Sequence, residues 1–309
     1  MRLEGIHHVT CITADAPRNV EFYTGVLGLR LVAKSVNQDD PTVYHLFYSD
    51  EQGHPGADIT FFEYPDARPG RAGGGMVHTV VWRVRSAAAL EFWERRLAER
   101  RAWIGWAGDE VRGADPEGLV HAIVVDRSGD PPLVAEHPEI PAEMALTGFD
   151  GVRAYSAHPD RGRVLLEEVL GARPAGDLAW EMRGERRGAV IAYDPAPAER
   201  GIPGAGTVHH VAWGTTVAEH PRWLERLEQN GVRNSGVIDR HYFRSIYFRE
   251  PNGVLFELAD DAPGFAVDSP VSELGRRIIL PPRFEPHRAE IEQRLTPLPD
   301  PRSGWPPAR

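Results

Sequence analysis

Alternating apolar and polar positions predict β-strands in two stretches that lie far apart in the chain. GIHHVTCITAD occupies residues 5–15, and GTVHHVAW occupies residues 206–213. Both stretches place two adjacent histidines among apolar residues. Because neighbouring side chains of an extended strand point to opposite faces, we expect the two histidines of each pair to have different surroundings.

The strands belong to a βαβββ pattern that recurs along the chain. In its first copy, the segment APRNVEFYTGVLGLRLV has apolar residues at helical spacing and precedes the strands TVYHLFYSD and ADITFFEY. In its second copy, the last two strands are assigned to LVHAIVVD and LVAEH. The four copies, called modules here, lie at residues 1–66, 75–138, 147–195 and 205–262.

This repeat predicts the fold class and the division of the chain. A single module is too small to bury one face of its sheet, so modules must pair around a cavity. We expect an α+β fold in which four βαβββ modules pair into two curved-sheet barrels. Along the sequence, the chain divides into an N-terminal pair of modules at 1–140, a C-terminal pair at 147–262 and a C-terminal extension at 263–309.

Composition excludes several classes of protein. With 45 acidic and 35 basic side chains, the net charge of -10 argues against a nucleic-acid partner. A single cysteine, Cys11, excludes an internal disulfide and a zinc–thiolate cluster. No signal peptide is recognisable, and no apolar run reaches the ~18 residues of a membrane span. We expect a cytoplasmic protein that acts on a small molecule, forms a homo-oligomer and has no membrane partner.

The repeat, the histidine pairs and the EPNG turn before VLFELAD together resemble the vicinal oxygen chelate superfamily. This superfamily contains the glyoxalases, the bleomycin resistance proteins and the extradiol dioxygenases. Four modules in one chain, followed by the tail LGRRIILPPRFEPHRAEIEQRLTPL, resemble its hydroquinone-type ring-cleaving dioxygenases. The resemblance covers roughly residues 1–260.

Alignment of the four modules selects one set of candidate metal ligands. The segments IHHV, VHTV, FDGV and VHHV occupy the same strand position, and the second polar residue of each is in turn His8, Thr79, Gly151 and His210. VLFE places Glu257 on the last strand of the fourth module. Two imidazoles and one carboxylate with open positions suit non-haem Fe(II), although Mn(II), Ni(II) and Zn(II) also accept them. The predicted ligands are His8, His210 and Glu257.

The choice of ligands has a consequence for how the modules pair. Ligands from modules one and four meet only if those modules share a cavity. Modules two and three would then pair with each other without a metal. Glu136, at the end of LVAE, is not assigned to a site because its own module has Thr79 where a histidine is needed.

The resemblance also implies four catalytic residues beside the metal. Regular strands would turn His7 and His209 away from the metal, yet the resemblance implies that both hold substrate or relay protons. It assigns similar roles to Arg240 and Tyr247 in the segment DRHYFRSIYFRE. Tyr247 lies within cross-strand reach of Glu257 through the EPNG turn. A phenol or imidazole there can accept a substrate proton, and a guanidinium can stabilise an oxyanion.

The remaining polar strand residues are assigned structural roles. We expect His45, His78 and His121 to be hydrogen-bonded core residues, with His45 and His121 at matching positions of modules one and two. Glu63 closes the last strand of module one, and two interpretations stay open. It is either a fourth, glyoxalase-type metal ligand or an ordinary solvent-facing residue at a strand end.

The resemblance implies ring cleavage of a hydroquinone or catechol-type aromatic with O2 at a non-haem Fe(II). The aromatic would bind through a deprotonated hydroxyl, which the cation favours by lowering its pKa. One alternative is a glyoxalase-like lyase or isomerase, which would need a fourth protein ligand and no oxygen. The other is a non-catalytic small-molecule-binding protein of the resistance type, which would not need a metal triad.

Overall fold

The computed structural model describes residues 1–303 and 305, and within them sixteen strands form two eight-stranded sheets of mixed direction. The first module contains strand β1, helix α1 with a π-helical continuation, and strands β2, β3 and β4, which span Ile6–Thr13, Ala16–Val20, Glu21–Val26, Arg30–Val36, Tyr44–Ser49 and Asp58–Glu63. Asp15 starts α1 by accepting a hydrogen bond from the Arg18 amide at 3.0 Å.

The second module repeats this order with a longer helix. It contains β5, α2, β6, β7 and β8, which span Val77–Val84, Ala87–Glu99, Trp103–Ala107, Glu110–Ala114 and Val120–Val125. The prediction that LVAEH forms its last strand is wrong, because residues 133–137 are irregular and β8 completes the module. His121 therefore lies on a last strand while His45 lies on the strand before it, so the two do not match in position.

The third and fourth modules follow the same plan. The third contains β9, a short 3₁₀ turn, a π-helical segment, β10, β11 and β12, which span Phe149–Ser156, Pro159–Gly162, Leu165–Val169, Arg173–Pro174, Ala179–Arg183 and Gly188–Pro195. The fourth contains β13, α3, β14, β15 and β16, which span Thr207–Thr215, His220–Gln229, Asn234–Asp239, Arg244–Arg249 and Leu255–Asp260.

The strand order within the sheets shows which modules pair. One sheet has the order β14-β15-β16-β13-β1-β4-β3-β2, and the other has β10-β11-β12-β9-β5-β8-β7-β6. Modules one and four therefore share a sheet, as do modules two and three, which confirms the pairing inferred from the ligands. The α+β class is also confirmed, but the sheets are curved and open rather than closed barrels. The ranges 1–140 and 147–262 do not correspond to separate sheets.

A β-bulge interrupts the central strand pair of each sheet at every polar doublet. In the first sheet, Ile6 pairs with Trp213 but His8 pairs with Ala212, so His7 is an extra residue in β1. The same shift makes His209 the extra residue in β13. The second sheet repeats both shifts at the equivalent positions, His78 and Asp150. Because a bulge re-aims side chains, strict alternation does not hold at the doublets.

The C-terminal extension covers the outer edge of the first sheet. Its one α-helix within the described residues is α4, which spans Arg288–Arg294. From β2, Arg30 donates to the carbonyl of Val271 at 2.7 Å, and Lys34 donates to that of Arg276 at 2.9 Å. The extension also pairs with the backbone of β2, because the Ile279 amide donates to the Lys34 carbonyl at 2.8 Å, and it thereby covers part of an edge strand. None of the described helices has the length and apolarity needed to cross a membrane.

Candidate metal centre

Three predicted ligands converge at the middle of the first sheet. His8 and His210 lie on the two central strands, β1 and β13, and Glu257 lies on β16 beside β13. The Nε2 atoms of His8 and His210 are 3.3 Å apart. Glu257 Oε2 lies 3.3 Å from Nε2 of His8 and 2.9 Å from Nε2 of His210. All three side chains are buried.

The other ring nitrogen of each ligand is held by its neighbour in the doublet. Nδ1 of His8 lies 2.9 Å from Nδ1 of His7, and Nδ1 of His210 lies 2.7 Å from Nδ1 of His209. Assigning the proton to Nδ1 of each ligand lets it donate to the neighbour and leaves the Nε2 lone pair free. Hydrogen bonds of this kind fix the ring orientation of histidines that bind metals.

The donor set fits a metal ion. With this proton assignment, two imidazole lone pairs and a carboxylate oxygen face one another, and Glu257 Oε2 is buried without a hydrogen-bond donor. Such an arrangement is repulsive unless a cation lies between the atoms. Three bonds of about 2.1 Å at right angles require ligand atoms about 3.0 Å apart, which agrees with the separations observed.

The electrostatics of the cluster favour an ionised Glu257 and neutral imidazoles at His210 and His7. Burial alone would raise the pKa of Glu257, but His8 and His210 lower it well below its usual range. Burial lowers the pKa of His210 despite its contact with Glu257. Burial and the neighbouring His8 lower the pKa of His7 to about 3. The carboxylate therefore carries the negative charge that a cation would neutralise.

His7 and His209 do not simply face away from the cluster, which corrects the prediction from regular strands. The bulges turn each ring back so that it contacts the adjacent ligand. Their environments nevertheless differ. His7 is buried, with its ring centroid 5.1 Å from that of Phe243. His209 is exposed and lines the cavity, where its ring lies 5.8 Å from that of Phe62.

Arg240 and Tyr247 complete one wall of the site. The Tyr247 ring lies edge-on to His210 at 5.5 Å, and Arg240 Nε donates to the phenol oxygen at 3.3 Å. Arg240 also forms an ion pair with Asp39 of module one at 3.1 Å. Burial and the nearby Glu257 raise the pKa of Tyr247 above its usual value, so the phenol is neutral at physiological pH.

A cavity of about 270 Å³ opens onto the cluster. Its apolar walls are aromatic or aliphatic side chains, contributed by Phe47, Phe62, Phe243 and Leu255. Its polar wall contains Asn37 and Tyr64, which are hydrogen-bonded to each other at 2.9 Å, together with Asp39, Arg240 and His209. A concave, largely apolar pocket with a few converging polar groups is typical of a small-molecule site.

Glu63 is not part of the cluster, and both interpretations offered from the sequence are wrong. Its side chain is buried, and Oε1 accepts a hydrogen bond from the Ala16 amide at the start of α1, at 3.0 Å. Strand register identifies the true counterpart of Glu257. Thr10 pairs with Thr60 in module one as Ala212 pairs with Glu257 in module four. A hydroxyl therefore stands where a fourth carboxylate would be needed.

The histidines assigned to the core have three different roles. His121 is a core residue as predicted, bonded to Tyr23 Oη at 2.9 Å and to Trp82 Nε1 at 3.1 Å. His78 is partly buried and contacts Asp194 at 2.9 Å. His45 differs from the prediction because it lines the cavity beside the cluster and bonds to Thr60 Oγ1 at 3.0 Å.

The second sheet lacks the equivalent ligands. Thr79 and Gly151 replace the two histidines, and Ala122 and Ala192 occupy the two positions equivalent to Glu257. Glu136, placed in a strand from the sequence, lies instead in the irregular segment after β8. Within the described residues, the His8, His210 and Glu257 cluster is the one group of this kind.

The fold agrees with comparisons to known proteins. The model of the Glyoxalase/Bleomycin resistance protein/Dioxygenase superfamily matches residues 5–113 and 148–258, so the chain belongs to this superfamily. A Bacillus subtilis (strain 168) protein named "Putative ring-cleaving dioxygenase MhqA" is 39% identical over 328 residues, which cover 96% of this chain and 100% of the relative. The resemblance inferred from the sequence is thereby confirmed.

Two further relatives extend the comparison. The "Chlorohydroquinone/hydroquinone 1,2-dioxygenase" of Sphingobium indicum is 27% identical over 309 residues, covering 94% of this chain and 95% of that protein. The crystal structure of a "putative dioxygenase" from Bacillus subtilis has a TM-score of 0.88 and 39% sequence identity. It covers 96% of this chain and 98% of the solved one.

Proposed function

We propose that the protein is a ring-cleaving dioxygenase that opens a hydroquinone or catechol-type aromatic with O2. Its metal would be held by His8, His210 and Glu257, with Fe(II) as the first choice and Mn(II), Ni(II) or Zn(II) as alternatives. The observation that carries the proposal is a cluster of three protein ligands, with Thr60 in place of a fourth, opening onto a small aromatic-lined cavity. A three-ligand face leaves positions for both substrate and oxygen.

A divalent metal bound there would supply a Lewis-acidic centre that lowers the pKa of a substrate hydroxyl, and a redox-active one such as Fe(II) would also pass electrons between the aromatic and O2. The chain's own residues supply binding, orientation and proton transfer. His209 faces the cavity, and because its Nδ1 accepts from His210, its Nε2–H can donate a hydrogen bond or a proton to the substrate. Tyr247 can donate a hydrogen bond to a substrate oxygen, and Arg240 can stabilise a developing negative charge.

The relatives' names support the proposed substrate class. One relative is named for hydroquinone and chlorohydroquinone, and another is named for ring cleavage without a stated substrate. The cavity volume of about 270 Å³ favours a single substituted ring. The further predictions of a cytoplasmic setting, a homo-oligomer and no nucleic-acid partner stay predictions.

Oxygen consumption tests the proposal. Protein loaded anaerobically with Fe(II) should consume O2 when hydroquinone is added, whereas protein stripped of metal should not. The same protein with methylglyoxal and a thiol should give no isomerised product, because Thr60 leaves the fourth ligand position without a carboxylate. Activity in the second assay without oxygen uptake in the first would replace the proposal with the lyase alternative.

A further inference from the structure

The two carboxylate oxygens of Glu257 have different surroundings. Oε2 faces the two imidazoles and has no hydrogen-bond donor. Oε1 accepts a hydrogen bond from Ser245 Oγ at 2.5 Å. The side chains of Ser245 and Glu257 are both 0% exposed, so water does not replace this bond. A hydroxyl that donates to an ionised carboxylate forms a charge-assisted hydrogen bond, which orients the carboxylate.

Strand register explains why Ser245 reaches this oxygen. Tyr247 on β15 pairs directly with Glu257 on β16, and Ser245 pairs with Ala259. Residues two apart on a strand share a face, so Ser245 and Tyr247 both point to the face that carries Glu257. A diagonal neighbour of this kind is close enough for a short polar side chain to make a hydrogen bond.

The first module has the same diagonal hydrogen bond. There Phe47 pairs with Thr60, the counterpart of Glu257, and His45 pairs with Phe62. His45 is therefore the counterpart of Ser245, and its Nε2 lies 3.0 Å from Thr60 Oγ1. In both modules, therefore, the residue at this strand position forms a hydrogen bond with the polar side chain at the position of Glu257. The repetition argues that the Ser245 contact is a feature of the site rather than a packing accident.

We propose that Ser245 is a positioning residue that makes Glu257 bind the metal through Oε2 alone. By engaging Oε1, its hydroxyl prevents the carboxylate from rotating to chelate the metal with both oxygens. A second carboxylate oxygen would take one of the positions that substrate and O2 need. The inference rests on the proposed metal centre. It adds a reason why the metal would keep coordination positions free for substrate and O2.

Removing the hydroxyl should therefore change both metal affinity and coordination. In Ser245→Ala, Oε1 would remain buried without a donor, and the carboxylate would lose its fixed orientation. Loss of a residue that orients a metal ligand typically weakens metal binding by about 10–100-fold. Ser245→Thr keeps the hydroxyl and suits a β-strand, so it should restore most of the affinity.

The test uses Co(II) added to the metal-free full-length protein, since its visible absorption reports coordination and its binding needs no turnover. The dissociation constant would be measured against a competing chelator for the native protein, Ser245→Ala, Ser245→Thr and Ser35→Ala. Ser35 is a matched control, because it is buried and lines the same cavity. Melting temperatures recorded alongside separate metal loss from unfolding.

The expected result is about 10–100-fold weaker Co(II) binding and an altered absorption spectrum in Ser245→Ala, with Ser35→Ala unchanged. Unchanged affinity and spectrum in folded Ser245→Ala would overturn the inference while leaving the metal centre intact. Failure of the native protein to bind Co(II) or Fe(II) would instead overturn the proposed function, and the inference with it.

Discussion

At the scale of single residues, the two histidines of each doublet have different positions relative to Glu257. His8 and His210 point Nε2 at Glu257 and use Nδ1 to contact their neighbours. His7 is buried beside Phe243, whereas His209 opens into the cavity. From these surroundings, we infer that His7 acts mainly on its ligand and that His209 acts on the substrate.

The three proposed ligands should each be required for metal binding. His8→Ala, His210→Ala and Glu257→Ala each remove one of three protein donors, so bound metal and activity should be lost while the fold persists. Metal content of the purified, folded variants is the measurement, with Thr79→Ala of the second sheet as the control that retains full content. A variant with full occupancy would remove its residue from the proposed site.

The histidines beside the ligands should separate into two phenotypes. His209→Phe should keep the metal and lower turnover per bound metal by ~10²–10⁴-fold, the usual contribution of general acid–base catalysis. His7→Phe should instead weaken metal binding, because His8 loses the contact that orients its ring. Metal titration and oxygen uptake, measured on the same samples, would tell them apart. Equal phenotypes for the two variants would contradict the assignment.

Some of this site could be predicted from the sequence, because the repeat places equivalent residues side by side. Alignment of the doublets places His8 and His210 at equivalent strand positions. It also shows that Thr79 and Gly151 occupy that position in the other two modules. The contacts of His7 and His209 could not be predicted in this way. They depend on bulges created where β1 pairs with β13, two strands far apart in the chain.

At the scale of elements, strand register decides which residue of a strand reaches the site. Glu63 ends β4 and looks like a ligand in the sequence, but the pairing of β1 with β4 selects Thr60. Ser245 was missed for a related reason, although its spacing of two from Tyr247 places both on one face. The strand pattern alone places Ser245 and Tyr247 on the same face. The register of β15 against β16 is needed to show that Ser245 lies diagonally opposite Glu257.

Glu63 should matter for stability rather than for metal binding. Glu63→Ala removes the carboxylate that accepts from the Ala16 amide at the start of α1, and loss of such a contact typically costs about 1 kcal/mol. Chemical denaturation should show this decrease in the free energy of unfolding. Metal content and oxygen uptake should equal those of the native protein, and a loss of metal in the variant would restore Glu63 as a ligand.

At the scale of the whole molecule, the two sheets share one strand plan but differ in the residues at their centres. One contains the His8, His210 and Glu257 cluster, while the other contains a network of ion pairs. Arg83 on β5 contacts Asp130 at 2.8 Å and Asp150 at 3.0 Å, and Arg183 on β11 contacts Asp130 at 2.7 Å. The second sheet also has no room for a histidine at Gly151, where an added Cβ would lie 2.1 Å from the Val190 carbonyl oxygen.

Asp130 should give the second sheet a pH-dependent contribution to stability. Burial raises its pKa, but hydrogen bonds from Arg183, Gly188 and Arg83 outweigh burial and hold the pKa well below its usual range. A carboxyl with a depressed folded-state pKa stabilises the fold above its unfolded pKa of about 3.9 and loses this contribution as the pH falls.

The variant Asp130→Asn isolates that contribution. At neutral pH it should lower the free energy of unfolding by about 2 kcal/mol, because two arginines lose their charged partner. The difference from the native protein should shrink as the pH falls below about 4. Denaturation curves at neutral and acidic pH provide the measurement. A constant difference across this range would contradict the assignment of charge to Asp130.

The fate of the oxygen atoms tests the proposed function most directly. Fe(II)-loaded protein would be mixed with hydroquinone under ¹⁸O2, and the product would be analysed by mass spectrometry. Ring cleavage by a dioxygenase predicts a ring-opened product that gains both atoms of one O2, with no external reductant consumed. Formation of benzoquinone with peroxide or water, or an unchanged ring with no oxygen consumed, would contradict the proposal.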